Sequence, residues 1–363
     1  MPGDAPPGTL SRVTAPAHRL EALAGDDSLL ARFVDRFRRV GLRGVLADLN
    51  RTATRVEVPA EAAVDGFTWE PEDRSTRRWW PQGITTSADA YGADPSGGMF
   101  EGHSVILTSW YARGIIGRLW LGSRITVLDA GGDGDAPYRH VLLVEPRRRF
   151  GLLRLKTVRV HAGGIVWYGG HLFVAGGPRG IRIFRLDDLV RVRNPLRARG
   201  YRYVLPQAGA YAPGVDEGKS MTYSFMSLDR AGEEDHLVVG EYGRRGGSHR
   251  LMRYTIDRDT ELLKGDDHGF AIPTELHDEQ VERMQGAALA HRTWYLTSSM
   301  GEGNPGDLWV GQPGDYTRHR GVLPTGPEDI TYLPQRDQLW TLTEWPDRRW
   351  VYAIDAERWA SPE

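Results

Sequence analysis

His161, Glu328, Glu241 and Glu344 are the side chains of this sequence best suited to move protons. Imidazole and carboxyl groups are the usual general acids and bases, provided that something positions them and adjusts their pKa. His161 stands before Ala162-Gly163-Gly164, where its ring has no evident packing role. Glu328 follows Gly326-Pro327 and leads an apolar run, so burial of its carboxylate would require a partner. Arg283 is the candidate partner, and a structural ion pair is the competing reading. Glu241 and Glu344 end two equivalent apolar runs. A pair of carboxylates is what acid/base hydrolysis of a glycoside uses; the alternative is that both anchor neighbouring backbone. Gln82, Asp89, Ser224, Arg283 and Gln285 add hydrogen-bonding groups for a substrate, with His103 and Arg230 on flanking loops. Gln82, Ser224 and Gln285 have a plainer use as partners for orphan backbone groups. Trp110 and Trp345, in a neighbourhood that includes Trp79, Trp80, Tyr111, Trp167 and Tyr242, offer planar faces to a sugar or a polycyclic molecule. Packing within the core is the other use of such rings.

These residues share a position because they recur at the same points of a repeat. Five segments pass from small or polar residues into a short apolar stretch: Gln82-Gly83-Ile84, Gly163-Gly164-Ile165, Ser224-Phe225-Met226, Gln285-Gly286-Ala287 and Glu328-Asp329-Ile330. Each is followed by a second apolar run ending on a small or acidic residue, as in Tyr295 to Ser298 and Trp340 to Glu344. A third strand then runs from Ile125 to Asp129, Ile181 to Asp187, Leu251 to Asp257, Asp307 to Val310 and Trp350 to Asp355. Gly-, Pro- and Asp-rich turns separate them, as hairpins require. Internal periodicity of this kind points to an all-β, five-bladed β-propeller, with a sixth blade hidden in insertions at 88–102 and 188–220 as the competitor. Innermost strands crowd a central channel, which accounts for Gly83, Gly163, Gly164 and Gly286. Loops and strand ends at one channel mouth would then bring the candidate residues together.

The last blade lacks an outer strand, because little sequence follows Asp355. Thr54–Val58 alternates polar and apolar residues and is predicted to supply that strand, closing the ring. Residues 27–49 place Leu29, Leu30, Phe33, Phe37 and Val40 at helical spacing, with Asp27 or Ser28 as N-cap. The expected organisation is a leader with a helix over residues 1–52 and a propeller over 53–363.

Composition narrows the function. The chain has 363 residues, 40% of them hydrophobic, a formal charge of −2 and no cysteine. Disulfides, thiolate metal sites and a cysteine nucleophile are therefore excluded. The charge gives no reason to expect nucleic acid or an anionic membrane, and no apolar run approaches the ~20 residues of a membrane-spanning helix. The N-terminus lacks the apolar core of a secretion signal, so the expected location is cytoplasmic. Lysine occurs only at 156, 219 and 264 among 46 Lys and Arg residues, which fits a GC-rich bacterial genome. No nucleophile elbow, Walker loop or zincin helix is present. The run from Asp129 to Asp135 has the look of a calcium loop but lacks the closing bidentate glutamate, and its place between two strands favours a hairpin.

The openings Gly326-Pro327-Glu328-Asp329-Ile330 and Gln82-Gly83-Ile84 resemble the innermost-strand openings of gluconolactonase-like and strictosidine-synthase-like propellers. That resemblance implies Glu328 as a ligand of an active-site divalent metal such as calcium. The repeat number is similar to that of five-bladed glycosidases of the arabinanase type, which carry acids on three first strands, whereas here only Glu328 fits. The leading expectation is an enzyme acting on a small organic molecule at the channel mouth by isomerisation, cyclisation, elimination or hydrolysis. The alternatives are a glycoside hydrolase using Glu241, Glu344 and Asp89, and a non-enzymatic binding or scaffold propeller.

Overall fold

The computed structural model describes residues 18–91, 97–114, 121–216, 218–278 and 280–360. Residues 92–96, within the predicted insertion at 88–102, and residues 1–17 of the predicted leader lie outside the described residues. β-branched and aromatic runs form strands that pair with their sequence neighbours into antiparallel meanders. The first comprises Trp79–Thr86, Val105–Ala112, Ser123–Asp129 and Ala136–Arg149. The second comprises Ile165–Tyr168, His171–Ala175, Ile181–Arg185 and Tyr203–Val215. The third comprises Phe225–Asp229, His236–Gly240, Leu251–Asp257 and Glu275–His277. The fourth comprises Met284–Ala290, Thr293–Ser298, Pro305–Gln312 and Asp315–Thr325. The last contributes Pro327–Leu333, Gln338–Thr343 and Trp350–Asp355.

Most strand residues are buried on both faces, as expected when sheets stack face to face. One apolar cluster joins the first and second meanders through Leu107, Val127, Ile165 and Val174. Another joins the second and third through Phe173, Ile183, Met226 and Val239. The series continues through Val238, Leu251, Ala287 and Leu296, then through Tyr295, Leu308, Ile330 and Leu339. It returns to the first meander through Ile84, Ile106, Trp340 and Leu342. The cores thus form a closed cycle with the first strand of every meander innermost, which is the architecture of a propeller.

Where the innermost strands meet, three glycines stand at points with no room for a side chain. A Cβ on Gly83 would come within 2.8 Å of Gly164 and Ile165 backbone, one on Gly164 within 2.1 Å of the Met226 nitrogen, and one on Gly286 within 2.8 Å of Asp329 and Ile330 backbone. Asp329 occupies the corresponding place in the last meander. Its carboxyl lies fully buried at the hub and accepts the backbone N–H groups of Ile84 (3.2 Å) and Ile165 (3.4 Å). Hydroxyl groups on second strands lock adjacent units: Ser109 donates to the Ala162 carbonyl (2.6 Å), Thr297 to that of Glu328 (2.7 Å).

The closing strand is not Thr54–Val58. Ala63–Thr68 pairs with Trp350–Asp355 and completes the last meander. Arg51–Arg55 lies one strand further out, pairing with Ala63–Thr68 at Thr54 and Arg55 and bridging to Ala136–Arg149 of the first meander at Arg51, Thr52 and Ala53. Both segments alternate, but Ala63–Thr68 buries Phe67 against Trp340 and so wins the position. The segment 188–220 is only partly an insertion, since Tyr203–Val215 is the outer strand of the second meander. That strand also accepts His18–Ala24.

The predicted 27–49 helix is two pieces, Asp27–Arg36 and Gly41–Leu46, separated by the short strand Arg38–Arg39. Its N-cap is Asp26, whose carboxylate accepts the Leu29 N–H, rather than Asp27 or Ser28. Leu30, Phe33 and Val34 pack on Leu142, Val144 and Val204 at the outer edge. No helix among the described residues is long and apolar enough to cross a membrane.

Candidate active site

Three β-bulges aim the site. The pairing register of first strands shifts between Pro81 and Ile84, between Met284 and Gly286, and between Pro327 and Ile330. The residues set in these shifts are Gln82 with Gly83, Gln285, and Glu328 with Asp329. A bulge turns a side chain out of the alternating pattern of its strand, and here it turns three polar ones toward a single end of the channel. Antiparallel pairing brings the ends of the second strands to that same end, including Glu344, Tyr111 and Ser299.

The result is a cavity of about 440 Å3 lined by Trp80, Tyr111, Arg113, Tyr242, Arg244, Arg283, Gln285, Ser299, Gly301, Glu344 and Trp345. Gln82 and Glu328 lie beneath its wall, buried to 1% and 3% exposure. The Gln82 amide donates to the Pro81 carbonyl (2.7 Å) and to Glu344 Oε2 (3.1 Å), and it is also a hydrogen-bond partner of Glu328. Gln285 Nε2 reaches Glu328 Oε1 at 3.4 Å. One amide thus links two carboxyl groups.

Their protonation follows from this enclosure. Burial pushes Glu328 well above the usual carboxylate range, and the charges of Glu344 and Asp329 push it the same way. Burial likewise raises Glu344 to about 7, against the smaller opposing effects of Gln82, Arg113 and Arg349. Arg349, itself buried, holds the Glu344 backbone by donating Nε–H to its carbonyl (2.8 Å), while Nη1 donates to the Asp73 carbonyl (2.8 Å). Asp329 is raised by burial despite its backbone donors.

The remaining sequence candidates divide. Arg283 lines the cavity, but it makes no ion pair with Glu328; it holds a left-handed conformation (φ 58°) fixed by its N–H to the Gly243 carbonyl (2.7 Å). Trp345 lines the cavity and meets Trp80 edge-to-face at 5.1 Å. His161 is exposed, lies four residues before its strand and stacks on the cavity-lining Tyr111 at 4.2 Å. Ser224 is half-buried and donates to the Thr222 carbonyl (3.3 Å).

Glu241 does not face the cavity. Its carboxylate accepts Arg250 through both oxygens (2.6 and 2.9 Å), the Ser248 hydroxyl and the Thr222 N–H, and these bonds hold it below the usual range despite burial. Asp89 is at the other end of the innermost strands, bound to Thr85 (2.6 Å), Thr331 (2.8 Å) and the Thr86 N–H (2.9 Å). Trp110 is fully buried among Trp69, His140, Arg124 and Arg349, so packing was its correct reading. His103 pairs with Asp129 (2.7 Å), and Arg230 covers Tyr168. Arg113 and Arg244 were missed. Each follows a second strand by only a few residues, and the position of its neighbours Tyr111 and Tyr242 was the available signal.

The residues do not fit a metal at Glu328. Its immediate partners are the amides of Gln82 and Gln285, which are weak metal ligands beside carboxylates, and no group of three His, Asp or Glu side chains suited to a metal ion occurs among the described residues. Asp135, in the acidic turn, is bonded to the Arg55 N–H (3.0 Å).

A larger cavity of about 700 Å3 opens on the outer side, lined by Arg51, Asp73, Trp79, Arg124, His140 and Tyr201 among others. Its one buried acid, Asp73, is fully engaged by Arg124 (2.9 Å), His140 (2.9 Å) and Tyr138 (2.7 Å). Burial would raise that carboxyl, but these partners hold it far below the usual range. Size favours this cavity; chemistry favours the mouth, where among the described residues Glu328 and Glu344 form no ion pair and are raised rather than lowered.

No known family pattern and no curated protein matches the sequence. Solved structures similar to this chain include the β-propeller domain of Myceliophteria thermophila Cps50 (Swd1), with 11% identity, 71% of this chain and 94% of that chain covered and a TM-score of 0.36. A gluconolactonase from Xanthomonas campestris has 12% identity, 85% coverage of both chains and a TM-score of 0.35. A GH43_1 enzyme from Xanthomonas citri has 12% identity, 81% and 90% coverage and a TM-score of 0.38. These likenesses are ones of propeller shape.

Proposed function

We propose that residues 53–363 form one five-bladed propeller with a leader along its rim, and that its channel mouth is the active site of an enzyme acting on a small organic molecule by acid/base chemistry. The observation that carries this reading is the Glu328–Gln82–Glu344 linkage beneath the cavity. A carboxyl that titrates near neutrality at a cavity wall can both give and take a proton at physiological pH. Glu344 is that group, and Glu328, held neutral behind it, is a reserve proton donor. His161, stacked on Tyr111 at the rim, is the candidate second base. Isomerisation, elimination and hydrolysis all need such a donor and acceptor pair. The glycosidase reading through Glu241, Glu344 and Asp89 has no support in the geometry, because these three are bound in separate places.

The experiment is a turnover screen of lactones, esters, enolisable ketones and aryl glycosides, read by mass spectrometry. Glu344→Gln is expected to lower kcat of any hit by about 10²–10⁴-fold with no loss of melting temperature. A hit whose kcat survives both Glu344→Gln and Glu328→Gln would refute the assignment.

A further inference from the structure

We infer that the substrate of this site is a small planar organic anion, its oxyanion group held by Arg113, Arg244 and Arg283 and its body lying between Trp80, Tyr111, Tyr242 and Trp345. The inference rests on the acid/base reading of the mouth and names the class of molecule that enters it.

The argument begins with charge balance. Arg113, Arg244 and Arg283 line a cavity in which, among the described residues, the only carboxyl is that of Glu344. Arg283 is half-buried and Arg113 and Arg244 are exposed at the rim; among the described residues none of the three forms an ion pair, whereas the half-buried Arg253 pairs with Asp229 and Arg55 with Asp65. Arg244 Nε donates only to the Tyr242 hydroxyl (3.3 Å), and Arg113 lies over the Trp80 ring at 4.1 Å. Burial pushes Glu328 toward the neutral form, and Glu344, raised to about 7 with Arg113 opposing, is only partly ionised near neutrality, so the three guanidinium groups face at most one carboxylate. Uncompensated positive charge in a concave site is an attractor for an anion, and guanidinium forks match the two oxygens of a carboxylate or phosphate.

Backbone geometry supports the same conclusion. Arg283 is a non-glycine residue in the left-handed region, a conformation that persists where the surroundings over-determine it and that clusters at ligand clamps. Here the Gly243 carbonyl and the Ser299 N–H fix it from both sides. The four aromatic rings explain the rest of the wall. Tyr242 is a large exposed hydrophobic at 37%. Trp80 and Trp345 stand edge-to-face. Rings at a cavity wall offer apolar surface to a flat body beside the cationic group, with Tyr242 the most exposed of the four and Trp80 and Tyr111 largely buried.

The test uses the full chain and three probes of one shape: benzoate, phenyl phosphate and neutral benzamide, titrated by calorimetry or ligand-observed NMR. Benzoate or phenyl phosphate is expected to bind saturably, at least about tenfold more tightly than benzamide. Whichever of the two binds more tightly identifies the oxyanion as carboxylate or phosphate. Arg283→Gln and Arg113→Gln should each weaken the anion by about tenfold, the loss of one charge-assisted contact, and leave benzamide unchanged. Arg149→Gln, on a distant exposed hairpin, should change nothing. Equal binding of benzamide and benzoate, or anion binding untouched by both pocket variants, would overturn the inference. Glu328→Gln and Glu344→Gln should keep the preference for the anion, so loss of the acid/base reading would appear in turnover and loss of the present inference in binding.

Discussion

Replacing Glu344 by glutamine should make the protein more stable, and only at neutral and alkaline pH. In the unfolded chain Glu344 ionises near its ordinary value of 4.5, whereas in the folded chain burial delays ionisation to about 7. The folded state therefore binds a proton that the unfolded state has released. For such a raised carboxyl, stability is fully present below 4.5, declines as pH rises, and levels off above about 7. At ~1.4 kcal/mol per pH unit the interval amounts to roughly 3 kcal/mol. Glutamine can still accept the Gln82 N–H through its carbonyl and keeps the contact over Gly326, but it has no charge to bury. Wild type and Glu344→Gln should be nearly equal at pH 4.5, and the variant should lead by about 3 kcal/mol at pH 8. Urea unfolding followed by tryptophan fluorescence at pH 4.5, 6, 7 and 8 gives the difference directly, provided the denaturant slopes agree. A gap that does not change with pH would show that Glu344 ionises at the same pH in the folded and unfolded chain, and the account of a carboxyl poised near neutrality would fail.

At the hub, Asp329→Asn should be tolerated and should gain stability above neutrality for the same reason. Asp329→Gly should cost about 1–3 kcal/mol, because the N–H groups of Ile84 and Ile165 lose their acceptor; chemical denaturation distinguishes the two. Glu241→Gln should behave in the opposite way, losing about 3–5 kcal/mol by leaving Arg250 buried without its partner, while anion binding at the mouth is unaffected. A chain beginning at residue 70 lacks the closing strand Ala63–Thr68 and should aggregate through the exposed edge of Trp350–Asp355, whereas a chain beginning at residue 50 should stay folded with a lower melting temperature; light scattering and thermal melts check both.

Much of this arrangement was legible in the residues. The openings Gln82-Gly83 and Gln285-Gly286 stood out because glycine is required where these innermost strands touch, and Glu328-Asp329 stood out as the acidic opening of the last repeat. In each, the polar residue in first place is the one that a bulge can turn outward. What could not be read was which partner each carboxylate meets. Glu241 and Glu344 hold matching places in sequence, yet Arg250, just before the following strand, captures Glu241, whereas Glu344 meets Gln82. The closing strand was misplaced because Thr54–Val58 and Ala63–Thr68 alternate equally well, and only the contact of Phe67 with Trp340 decides between them. Arg113 and Arg244 were hidden because an arginine after a strand is usually solvated; both are exposed here too, and it is the convergence of the meanders that sets them beside one cavity.

The measurement that bears most directly on the central claim is a pH titration of the glutamate side-chain carboxyls by 13C NMR, assigned with Glu344→Gln and Glu328→Gln. The coupled pair should show one midpoint near 7 that vanishes in Glu344→Gln, and a second carboxyl that keeps its proton beyond neutrality and vanishes in Glu328→Gln. If every glutamate carboxyl instead titrates below about pH 5, in the ordinary range, Glu328 and Glu344 are both ionised at neutral pH and the channel mouth is not an acid/base site.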